Sequence, residues 1–137
     1  MSHQSTFIFT SSNIPTAEDI NRELELLGLP CTIASTPTLN DANGAFSATI
    51  TTKGIERSLQ FEDSTYRLDE LRERAGERDR AVDFLLGTDM AEGFLVSAVG
   101  AALATLCGAL IYYEPDDLYY TPAEIADEAH SILESVN

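Results

Sequence analysis

Beyond Arg80 the sequence contains no lysine and no arginine. Its eight basic side chains are Arg22, Lys53, Arg57, Arg67, Arg72, Arg74, Arg78 and Arg80, against 23 Asp and Glu, for a formal net charge of −15. A field of that sign repels nucleic-acid phosphates and attracts cationic surfaces, so direct DNA or RNA binding is not expected. Histidine is scarce too. His3 leads the chain and His130 lies near its end, which leaves a Ser, Thr or Cys nucleophile few bases to use. Cys31 and Cys107 sit far apart in apolar settings with no CxxC pair, a pattern of buried free thiols. There is no GxGxxG, no P-loop, no HExxH and no EF-hand loop. Nucleotide and standard metal chemistry therefore lack their geometric parts, no cofactor or metal is expected, and the chain reads as a non-enzyme. The opening MSHQSTFIFT has no basic stretch followed by an apolar run, so a reducing cytoplasm is the expected location.

What is present supports a folded domain. Apolar residues make up 44% of 137, enough hydrophobic surface to offset the entropy of ordering the chain and to fill one core. One domain over residues 1–137 is expected, with residues 1–4 as a flexible tail. From Ser5 to Thr10 the residues alternate as in a strand. Thr16 is an N-cap for a helix with the stripe Ile20, Leu24 and Leu27, which stops at Gly28. CTIAS is a short strand, and Asn43-Gly44 marks a turn in the polar stretch after it. GAFSATITT and IERSLQFED each alternate and meet at Lys53-Gly54 as a hairpin. From Tyr66 to about Arg80 the pattern is that of a charged helix with a thin stripe of Leu68, Leu71 and Ala75.

The segment from Gly93 to Tyr113 carries no charge, and Gly100, Ala104 and Gly108 recur at four-residue spacing. Such a run raises the question of a membrane span. Its flanks are acidic rather than basic, which favours a buried helix from about Asp89 to Leu106 and then a strand, ALIYY. Thr121, Pro122 and Glu124 have the spacing of a capping box with proline at the first helical position. The closing helix places Ile125, Ala129, Ile132, Leu133 and Val136 on one face. The expected fold is α+β in the order βαβββααβα, with a mainly antiparallel sheet and helices packed on one face. Its core should contain Phe7, Phe9, Ile20, Leu24, Ile33, Phe46, Ile50, Leu59, Phe61, Leu95, Leu103, Leu110, Ile125 and Leu133.

The stretch ALATLCGALIYYEPDDLYYTPAEIADEA draws most attention, with four tyrosines around a proline and three carboxylates. A hard cation could use Glu114, Asp116 and Asp117, but Pro115 and the Asp pair also suit a solvated turn that needs no ion. Of Tyr112 and Tyr113, strand alternation sends only one toward the core. Glu114, Asp116, Asp117, Tyr119 and Tyr120 are the candidate partner-binding residues: carboxylates to steer, tyrosines to anchor. Over about residues 98–129 the chain resembles the end of several small bacterial proteins, including some immunity proteins of polymorphic and contact-dependent toxin systems. In these an Ala-rich helix, a Gly, a strand, an acidic turn and a YTPAE helix start follow in that order. The resemblance implies a small, acidic, non-catalytic protein that inhibits a toxin by covering its active site or an adjacent surface. With the net charge it makes a basic protein partner, such as a nuclease toxin, the expected one, and the acidic flanks of the apolar run make no membrane partner expected. A nucleic-acid mimic that fills the groove of a DNA- or RNA-binding protein is the alternative, followed by a scaffold or a small-molecule enzyme.

Overall fold

The computed structural model describes residues 3–86 and 89–136. Along the chain lie β1 (His3–Phe9), α1 (Ala17–Leu26), β2 (Cys31–Ile33), β3 (Asn43–Ile50), β4 (Ile55–Asp63), α2 (Leu68–Ala75) and β5 (Arg80–Leu86). They are followed by α3 (Met90–Cys107), β6 (Leu110–Tyr113), β7 (Leu118–Tyr120) and α4 (Pro122–Glu134). The strands pair antiparallel throughout in the order β2-β3-β4-β5-β1-β6-β7, the α+β class expected. Met1 and Ser2 of the expected tail lie outside the described residues, and β1 begins at His3, paired with Leu86.

The helix ends follow their local chemistry. Asp19 N–H donates to Thr16 Oγ1 at the start of α1. At α4, Glu124 N–H donates to Thr121 Oγ1 and Thr121 N–H donates to Glu124 Oε1, so the capping box is complete, a device worth about 1 kcal/mol. Asp89 caps α3 by accepting from Ala91 N–H, and also accepts from Arg57 Nε at 2.6 Å, which fastens the helix start to β4. The other end of α3 stops at Gly108, whose φ of +69° fits the left-handed cap.

On one sheet face, α3 lies over the centre with α1 and α4 beside it. Phe84 is the hub of that core, with ring centroids 4.6 Å from Phe7, 5.8 Å from Phe61 and 5.9 Å from Phe46. Each such ring contributes roughly 1.5–3 kcal/mol by leaving water. α3 is long and apolar enough to cross a membrane by length and composition, yet eleven of its 18 residues are buried within the fold. Its small residues let it lie close to the sheet: a Cβ on Gly100 would stand 3.1 Å from Phe7 and 3.3 Å from Ile111. Of the expected core residues, Leu110 and Leu133 are only half-buried. α2 covers part of the opposite face, where Leu68 and Ala75 meet Ile8, Ala81 and Tyr112. The rest of that face, on β3 and β4, is polar and open, with Glu56, Ser58, Gln60 and Glu62 exposed.

Three local expectations change. The charged helix ends at Ala75, because Gly76 takes φ +62°, and Arg80 opens a strand instead of closing the helix. That strand, β5, lies between β4 and β1. Residues 118–120 form β7 at the sheet edge, paired with β6. Asn43-Gly44 begins β3 and is not a turn; Gly44 lies flat against Phe61, where a Cβ would come within 2.9 Å of the ring.

Candidate functional site

The β6–β7 hairpin sorts the tyrosines. Tyr112 pairs with Tyr119 across the two strands, whereas Tyr120 pairs with Ile111 and Tyr113 with Leu118. Cross-strand partners share a face and neighbours alternate, so each Tyr-Tyr doublet sends one ring to either side of the sheet.

On the α2 side the arrangement is closed. The rings of Tyr112 and Tyr119 stack with centroids 4.6 Å apart, and the Arg74 guanidinium sits 4.3 Å over Tyr119. Tyr112 Oη donates to Asp117 Oδ1 at 2.8 Å. Arg67, also over the Tyr112 ring, donates to Thr6 Oγ1 and Asp83 Oδ1, while Thr6 Oγ1 donates to Asp83 Oδ1 at 2.6 Å. A second ion pair at 3.4 Å joins Arg67 to Glu114. Arg67 is 8% exposed and Asp83 4%, so each satisfies the other in a region where a lone charge would be costly. Burial pushes the Tyr112 phenol up to about 12, and the Asp117 carboxylate that accepts its hydrogen bond adds to this. For Tyr119 the shift is also upward, from burial, with Arg74 opposing it.

On the other side lies a cleft of about 570 Å3 between α3, α4 and the hairpin, within the size range of ligand sites. Leu86, Met90, Ile125 and Ile132 give it apolar walls. Hydroxyls come from Ser5, Ser97, Tyr113 and Tyr120, and carboxylates from Asp89, Asp116 and Glu128. No Lys or Arg is among the described lining residues. Asp89 is held below the usual carboxylate range, first by the hydrogen bond from Arg57. Asp116 and Glu128 are exposed, and among the described residues neither has a basic group within ion-pair distance. The Tyr120 phenol is pushed upward by burial, then by the negative potentials of Glu128, Tyr113, Asp116 and Glu124. That side of the hairpin is thus apolar within and negative around.

The candidate residues therefore divide. Glu114, Asp117 and Tyr119 belong to the closed network around Arg67 and Tyr112, and Asp116 and Tyr120 line the cleft. Asp89, Tyr113 and Glu128, which are not among the candidates from sequence, join them there. Tyr113 ends β6 beside the turn, whereas Asp89 caps α3 and Glu128 lies on α4, and the sequence signal for Glu128 is that it follows Ile125 by three residues, one helical turn on. Among the described residues no set of three His, Cys, Asp or Glu is placed to hold a metal. His130 stands away at the end of α1, its Nε2 3.1 Å from the Leu27 carbonyl oxygen. Cys31 is buried in the main core, which pushes its thiol up to about 12 and keeps it protonated. Comparison with protein-family models, with curated proteins and with solved structures gives no match to this chain.

Proposed function

We propose that this is a non-catalytic acidic binding protein that blocks a basic protein partner, the role suggested by its resemblance to bacterial toxin-immunity proteins. The observation that carries the reading is the charge left over once the fold has satisfied itself. Arg67 pairs with Asp83 and Glu114, and Arg57 with Asp89. Asp116, Asp127, Glu128 and Glu134 stay exposed and have no ion-pair partner among the described residues. They lie on the hairpin turn and on α4. Carboxylates beside exposed or half-buried tyrosines suit a cationic protein surface, since charge steers the encounter and rigid aromatic area supplies affinity.

The test is to express the chain with the product of each adjacent gene. Rescue of growth from a toxic product, together with a complex that survives gel filtration, is the expected result. For that partner, association should slow strongly as salt rises while dissociation changes less, because exposed charges are screened beyond about 8 Å at physiological ionic strength. An association rate indifferent to salt would leave the net charge with a role in solubility alone.

A further inference from the structure

We propose that the cleft between α3, α4 and the β6–β7 hairpin receives an arginine or lysine side chain of the basic partner, and that Gly93 leaves it room. This rests on the reading of the chain as a binder of a basic protein. The first observation is a glycine that packing does not explain. Gly93 lies in the first turn of α3 and lines the cleft. A glycine inside a helix costs about 1 kcal/mol against alanine. At Gly100 of the same helix a Cβ would press on Phe7 and Ile111, but among the described residues a Cβ on Gly93 would meet nothing within 4 Å. Its φ is not in the left-handed region either. What a side chain at position 93 would take up is the space of the cleft.

The second observation is the order of chemistry around that space. Met90, Ile125 and Ile132 offer apolar surface to an aliphatic stem. Asp116 and Glu128, both exposed, offer carboxylates to its charged head, and Tyr120 stays a neutral ring and hydroxyl against which a cation is attracted. Asp89, already held by Arg57, is not needed for this. The occupant is a side chain on a protein surface because both lining carboxylates are themselves exposed, Asp116 on the hairpin turn and Glu128 on α4. Asp127 and Glu134, exposed and without an ion-pair partner among the described residues, lie on α4 as well.

The probe is the tripeptide acetyl-Gly-Arg-Gly-amide, with the neutral citrulline peptide as control, followed by amide chemical shifts of the full chain at low salt. Saturable shifts at Gly93, Ser97, Tyr120 and Glu128 are expected with arginine and not with citrulline. Gly93→Leu should abolish them without lowering the melting temperature. Glu128→Gln, on an exposed position, should weaken binding about tenfold. Equal shifts with citrulline, shifts spread over the whole acidic surface, or undiminished binding by Gly93→Leu would each overturn the proposal. So would agmatine binding much more tightly than the peptide, which would make the cleft a small-molecule site. If a basic partner binds Gly93→Leu as tightly as the unsubstituted chain, the cleft inference falls and the acidic-binder reading stands. If the arginine peptide binds the cleft but no basic protein binds the chain, the failure belongs to that reading.

Discussion

Tyr112 and Tyr119 share a strand pair with Tyr113 and Tyr120, yet the two sides of this hairpin are built differently. Toward α2, among the described residues, the charges at the rings have partners: Arg67 with Asp83 and Glu114, Asp117 with the Tyr112 hydroxyl, Arg74 with the Tyr119 ring. Toward α3 and α4 the acids are in excess, and the space beside Gly93 is left open. Strand alternation makes this possible, since residues one apart can serve unrelated ends. The closed side fixes the hairpin to the sheet. The open side leaves the Asp116 and Glu128 carboxylates exposed.

The strongest way to break the contrast is at Arg67. Arg67→Met would leave Asp83 buried with only Thr6 for company, and should destabilise the fold by about 3–5 kcal/mol, read by urea denaturation. A loss below about 1 kcal/mol would show that the network does not hold this side together. Tyr119→Ala removes the stack on Tyr112 and the cation over the ring, for an expected loss of about 1–3 kcal/mol. Tyr120→Ala should weaken partner binding more than Tyr119→Ala does, once both are compared as folded protein.

Alkaline pH sharpens the same difference. The Tyr112 phenol is raised in the folded chain to about 12 from an ordinary 10. Between those values the folded state holds a proton that the unfolded state has released, so stability present below pH 10 is lost as the pH rises toward 12. Tyr112→Phe starts less stable, lacking the bond to Asp117, but should lose less over that interval. A parallel fall in both proteins would mean that Tyr112 does not set the alkaline limit.

Much of the fold was legible because its signals are local. The Thr16 and Thr121 caps, the hairpin at Lys53-Gly54 and the stop at Gly108 are each written in a few neighbouring residues. β5 was not legible, since a central strand is covered on both faces and loses its alternation: Ala81, Val82, Asp83 and Phe84 are all buried. Asp83 inside it reads as a surface residue until Arg67 arrives from α2's side. The cleft was half legible. Asp116 and Tyr120 belong to the conspicuous hairpin stretch, but Glu128 and Gly93 reach them only through the packing of α3 against α4. Sequence could not divide the tyrosines either, because a three-residue edge strand such as β7 is too short to show a period.

The central claim is that the open side serves binding and not folding, and Asp116→Asn together with Glu128→Gln tests it most directly. Both positions are exposed, so the melting temperature should stay where it is or rise slightly as self-repulsion falls, a change within about 0.5 kcal/mol. Measured on the same preparation, affinity for the arginine peptide and for a basic partner should drop about tenfold or more. A lowered melting temperature with affinity intact would contradict the account and assign these carboxylates to the fold.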